Sequence, residues 1–139
     1  GDTEVPIWSN ATIGGQDIQG RTVLGKEWDP DTMRGLFEQA RDAAYQIIDR
    51  KGYTDSAIGV VIARIVRAIV EDQQNVLPVS VRPQGAYGID DVCLSTPCVV
   101  GIEGVQKHVV PDLSEDESEK LRASATALRE SRAELDLDL

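Results

Sequence analysis

The stretch Arg41-Asp42-Ala43-Ala44-Tyr45-Gln46-Ile47-Ile48-Asp49-Arg50-Lys51-Gly52-Tyr53-Thr54-Asp55-Ser56-Ala57-Ile58-Gly59 holds one helix end and the next helix start, and it organises the reading of the whole chain. Working backward, apolar residues recur at Met33, Leu36, Phe37, Ala40, Ala43, Ala44, Ile47 and Ile48, the spacing of an amphipathic helix. Asp29 offers an N-cap oxygen, and Pro30 suits the first helical position, where its missing N–H costs nothing. Lys51-Gly52 ends the helix, because a cation favours the negative helix terminus and glycine can take the left-handed cap. Working forward, a second helix starts with Thr54 or Asp55 as cap. From Ala57 to Val70 it is apolar around most of its circumference, which predicts burial on several sides.

On the amino-terminal side, Thr3 to Ile13 mixes β-formers with polar residues and closes at Gly14-Gly15, so it reads as an extended segment ending in a turn, followed by a polar loop to Trp28. On the carboxyl side, Val76–Arg82, Val92–Val100 and Val105–Val110 are strand candidates. The last two are joined by a turn around Glu103-Gly104, so the sheet is antiparallel. Pro78 and Pro97 argue against unbroken ladders, since proline cannot donate. Ser114 and Glu117 form a capping box opening a last helix with Leu121, Ala125 and Leu128 on one stripe, and the tail from Glu134 reads as loose. The order of elements is an α+β layout: antiparallel strands packed with two consecutive long helices and a C-terminal helix.

Bulk properties narrow the function. The 139 residues suit one compact domain, 41% hydrophobic composition supports a core, and 24 acidic against 14 basic residues give a net charge of -10. That charge repels phosphate backbones and anionic headgroups, so neither nucleic acid nor a membrane is expected as partner. Arg64 and Arg67 interrupt the longest apolar run, which is too short for a bilayer, and a cytoplasmic location is expected. Cys93 and Cys98, five apart on one expected strand, point to opposite faces and read as two buried thiols; with His108 the sole histidine, no metal site is expected. His108 also lacks an orienting partner for general-base work, and neither a Gly-x-Ser-x-Gly elbow nor a Gly-x-Gly-x-x-Gly loop occurs. The glycine pairs Gly14-Gly15 and Gly85-x-x-Gly88 suit turns. The acidic runs Asp29–Asp31 and Glu115–Glu119 suit helix starts.

Four collinear segments go further. Gly1-Asp2-Thr3-Glu4-Val5-Pro6-Ile7-Trp8-Ser9, the helix break quoted above, Val76-Leu77-Pro78-Val79-Ser80 with Tyr87-Gly88-Ile89-Asp90-Asp91-Val92 to Gly101, and Leu113 to Leu128 resemble the C-terminal, substrate-side half of the lactate/malate dehydrogenase family. The resemblance implies a lactate/malate dehydrogenase C-terminal-like domain over residues 1–139, with an NAD-binding Rossmann domain belonging to a longer protein. It also implies that the proton-transfer histidine falls immediately before Gly1, so that this chain holds no catalytic residue and is inactive alone. By the same resemblance Thr54 contacts substrate and Ile58 packs on the nicotinamide of NAD, while Ser56 departs from the aromatic residue relatives often carry. The implied reaction is interconversion of pyruvate and L-lactate by a homotetramer. A lactate-type malate dehydrogenase acting on oxaloacetate, and a non-catalytic self-associating module, are the alternatives. From capping preference alone, Thr54 could instead be the N-cap of the second helix.

Overall fold

A computed structural model describes residues 3–135; Gly1, Asp2 and the tail residues 136–139 lie outside the described residues. The chain divides into two compact units where its length suggests one: Gly1–Gly52 with Pro111–Ser124, and Tyr53–Val110 with Ala125–Leu139.

In the first unit, the stretch expected to be extended is broken by a 3-10 turn at Trp8–Asn10. The expected loop after it holds two short antiparallel hairpins, β1 (Thr12–Ile13) with β2 (Gln16–Asp17) and β3 (Thr22–Val23) with β4 (Lys26–Glu27). Each closes on two consecutive residues of positive φ, Gly14-Gly15 and Leu24-Gly25, the geometry that matches strand twist in a two-residue hairpin. Helix α1 spans Pro30–Lys51 as the sequence indicates. Asp29 accepts hydrogen bonds from the Asp31 and Thr32 N–H groups at 3.3 and 3.1 Å and from the Thr32 hydroxyl. These bonds, the Thr32 hydroxyl foremost, hold its carboxyl below the usual range. Gly52 ends the helix at φ 84°, its N–H donating to Ile48 O at 2.7 Å.

The first ten residues of α3 (Glu115–Glu134) complete this unit. The capping box forms as read: Ser114 N–H donates to Glu117 Oε2 at 2.9 Å, and Glu117 N–H donates to Ser114 Oγ at 3.3 Å. Glu117 also accepts from Ser9 N–H at 2.9 Å and from the Ser9 hydroxyl, tying the amino-terminal turn to the helix start. Only 5% of Glu117 is exposed. Burial pushes its carboxyl up, but the hydrogen bonds from Ser9 and Ser114 outweigh it and hold the group below its ordinary value. The helix runs through Glu134, so the loose tail cannot begin there.

The second unit is a three-stranded antiparallel sheet, β5 (Asn75–Val81), β6 (Leu94–Gly101) and β7 (Gly104–His108), in the order β5-β6-β7, with α2 (Ser56–Val70) preceding it. Along β6 the side chains alternate as a half-buried strand requires: Leu94, Thr96, Cys98 and Val100 are buried, and the residues between them are not. Leu77 faces Cys98 in register, and Ala68 of α2 closes a core with Leu77 and Val100, flanked by Ile65, Ile69 and Val79.

The two prolines do not break the ladder. Pro78 and Pro97 are direct partners, and Pro97 O accepts from Val109 N–H on the opposite side. Because a strand residue's N and O point the same way, neither proline nitrogen faces the β5–β6 interface.

Two expectations are corrected here. Cys93 precedes β6 and is exposed, while Cys98 lies in β6 and is buried, so the two do not share a strand and only one thiol is buried. Helix α2 is not buried on several sides: only Ala68 is buried, and Ile58, Val60, Val61, Ile62, Val66 and Val70 are 50–74% exposed. One stripe of the helix meets β6, which leaves the rest of its apolar circumference without cover among the described residues.

Candidate functional site at the helix break

Residues 52–55 separate α1 from α2. The N-cap position of α2 is Asp55, not Thr54, and Asp55 makes no side-chain capping bond; its carboxylate instead accepts from the Ser56 hydroxyl at 3.1 Å. The first intrahelical bond is Gly59 N–H to Asp55 O at 2.9 Å. Thr54 is therefore released from the structural role that capping preference offers it. Its side chain is exposed, and its hydroxyl has no hydrogen-bond partner among the described residues.

Ile58 follows four residues later, one helical turn on, and is 57% exposed. An exposed hydroxyl and an exposed branched aliphatic side chain, neither consumed by local folding, can supply one directional hydrogen bond and one dry surface to a bound molecule. They cannot supply proton transfer or a nucleophile. Gly1, before which the catalytic histidine is expected, lies outside the described residues.

Elsewhere the chemistry is structural. His108 ends β7, half-buried. Among the described residues no group of three His, Cys, Asp or Glu side chains could hold a metal ion, and no helix is long and apolar enough to cross a membrane. A cleft of the first unit, about 660 Å3, is walled by Trp8, Trp28, Met33 and Phe37. The two indoles meet edge to face at 5.9 Å. Its cations Arg34, Arg41 and Lys120 stand among Glu4, Glu38, Asp116 and Glu117, and the Glu117 carboxylate is already saturated by Ser9 and Ser114. Sequence reasoning missed the Ser9–Glu117 link and the pairing of Asp91 with Arg129, because the partners are 108 and 38 residues apart and nothing in local spacing joins them.

Comparison with known proteins gives the arrangement its context. Residues 1–136 match the family model of the lactate/malate dehydrogenase alpha/beta C-terminal domain. An L-lactate dehydrogenase of Salinibacter ruber is 75% identical over 135 residues, covering 97% of this chain and 43% of that protein. One from a Synechococcus strain is 48% identical over 94% of this chain and 42% of its own length. Among solved structures, a lactate dehydrogenase from a Medee basin deep-sea metagenome library superposes with a TM-score of 0.91 at 34% identity, over 99% of this chain and 44% of that one. The chain thus spans less than half the length of these relatives. With matching sequence along nearly its whole length and the same fold, this chain belongs to the lactate/malate dehydrogenase family, as its α/β C-terminal domain.

Proposed function

We propose that residues 1–139 form the substrate-side wall of an NAD-dependent L-lactate dehydrogenase, completed by a Rossmann NAD-binding domain in the preceding part of the protein. The observation that carries the reading is the helix break, where Thr54 and Ile58 are exposed and unspent by folding in a chain 75% identical to an L-lactate dehydrogenase. When bound, NADH supplies the hydride that reduces the carbonyl carbon of pyruvate. Thr54 donates a hydrogen bond from its hydroxyl to the substrate, fixing its orientation. Ile58 would hold the nicotinamide by apolar contact and exclude water, so that charges beside it act through a lower dielectric. The fit is partial by design: Ile58 offers the flat apolar contact a nicotinamide needs, and the chain has no glycine-rich loop to hold the dinucleotide's phosphates.

In this reading the proton comes from the histidine before Gly1, the working enzyme is a cytoplasmic homotetramer of fermentative glycolysis, and residues 1–139 alone turn nothing over. Lactate is preferred to malate as the product because the relatives quoted are L-lactate and lactate dehydrogenases. Two measurements on the full-length enzyme test it. Pyruvate should be reduced with a higher kcat/KM than oxaloacetate; the reverse order by a wide margin removes the lactate assignment. Thr54→Val, which keeps the shape and deletes the hydroxyl, should lower kcat/KM for pyruvate by about tenfold, the equivalent of one lost hydrogen bond of ~1.4 kcal/mol, and leave the KM for NADH within about twofold. An unchanged kcat/KM takes Thr54 out of the site.

A further inference from the structure

The second unit holds a cleft that the proposed reaction does not use. It is about 660 Å3, lined by Arg82, Asp91, Val92, Cys93, Leu128 and Arg132. Two arginines line it and a third, Arg129, pairs with its Asp91, in a chain whose net charge is -10, and the three are spent differently. Arg129 closes a two-pronged pair on the Asp91 carboxylate, Nε to Oδ2 at 2.7 Å and Nη2 to Oδ1 at 2.8 Å. That pair neutralises the acid of the lining, and the Arg129 bonds hold the Asp91 carboxyl below the usual range.

Arg82 and Arg132 are instead anchored on main-chain carbonyls of two consecutive residues. Arg82 donates from Nε and Nη2 to Asp90 O at 3.0 and 2.8 Å, and Arg132 donates from Nη1 to Asp91 O at 2.8 Å. A carbonyl fixes a guanidinium without cancelling its charge, and among the described residues neither fork reaches ion-pair distance of a carboxylate. Each keeps N–H groups without a protein acceptor there. Between them lie the aliphatic surfaces of Val92 and Leu128.

We propose that this cleft is a binding site for a small phosphate-bearing anion, held by the pre-positioned forks of Arg82 and Arg132 with its carbon skeleton against Val92 and Leu128. Pre-positioning reduces the ordering cost that makes surface arginines poor binders, and two forks suit the tetrahedral oxygens of a phosphate. This proposal does not rest on Thr54 or on whether the protein reduces pyruvate.

Cys93 provides the reporter, because its thiol is exposed in the cleft while Cys98 is buried. On the full-length enzyme, with the modified peptide followed by mass spectrometry, inorganic phosphate should slow alkylation of Cys93 by neutral iodoacetamide about threefold or more, saturably, whereas chloride at equal ionic strength should not. Arg82→Gln and Arg132→Gln should each raise the half-saturating phosphate concentration about tenfold, and Arg132→Lys, which keeps the charge and loses the fork, by less. Equal slowing by chloride, no slowing by phosphate, or folded glutamine variants that respond like the parent would overturn the site. Should a variant fail to fold, the phosphate and chloride titrations of the unsubstituted enzyme decide the matter by themselves.

Discussion

Strand β6 and helix α2 are both rich in apolar residues, and the chain treats them in opposite ways. In β6 the alternation from Leu94 to Val100 is used completely: every second side chain is buried, and Val100 joins a core with Leu77 and Ala68. In α2 the apolar residues surround the helix, yet only the stripe through Ile65, Ala68 and Ile69 is covered, and Ile58, Val60, Val61, Ile62, Val66 and Val70 face outward. A strand with one apolar face is satisfied by one neighbour, whereas a helix apolar on all sides needs several. The difference separates what the chain folds with from what it offers, and under the proposed function the offered surface is where the rest of the enzyme and its ligands bind.

Truncation inside the covered region should have the largest effect. Ile89, 1% exposed, should cost about 3 kcal/mol of stability as Ile89→Ala, through lost burial and the cavity left behind. Val60→Ser on the exposed side of α2 should change stability by about 0.5 kcal/mol or less. Denaturant unfolding of the two variants checks the contrast; similar losses would mean that α2 is covered in solution.

Polar groups sharpen the same contrast. Glu117 has its acceptors filled by Ser9 and Ser114, while the Thr54 hydroxyl has no partner among the described residues. Glu117→Gln should cost on the order of 1–2 kcal/mol by weakening charge-assisted bonds, and Thr54→Val should leave the stability of the chain within about 0.5 kcal/mol. The pH dependence follows in sign. A carboxyl depressed below its ordinary value of 4.5 contributes stability that is fully present above that pH and lost as pH falls through the depressed value. Unfolding midpoints followed from pH 7 to 2 should therefore fall less steeply for Glu117→Gln below about pH 4.5. Asp29 and Asp91 are depressed in the same sense and should keep part of the acid limb in that variant. An unaltered acid limb would show that the Ser9 and Ser114 bonds contribute no net stability.

A cost below those at Ile89 and Glu117 belongs to the helix break itself. Gly52→Ala at φ 84° should cost about 1 kcal/mol, because a side chain disfavours the left-handed cap between α1 and α2. A thermal shift near zero would indicate that the break relaxes freely.

Local chemistry was legible where a residue acts on its near neighbours. Asp29 and Pro30 marked the start of α1, Gly52 its end, Ser114 with Glu117 the capping box, and alternation the buried face of β6. The hairpins after Ser9 escaped because their strands are two residues long, too short for period-two patterning, and Leu24 takes a positive φ that its side chain does not advertise. Cys93 escapes the expected strand because β6 begins one residue after it. The exposure of α2 was illegible for a deeper reason: apolar composition records that a surface wants cover and is silent about which polypeptide provides it. For the candidate site, Thr54 and Ile58 were found by resemblance alone. The structure then removed the capping role that had competed for Thr54.

The most direct test of the account is NADH oxidation with pyruvate, measured on the 139-residue chain alone and again after adding the separately produced preceding part of the protein. The account predicts no turnover by the chain alone and turnover once the two parts are combined. Oxidation of NADH by the unaided chain, or a stable oligomer of it that gains no activity from the added part, would contradict the claim that it forms one wall of a shared active site.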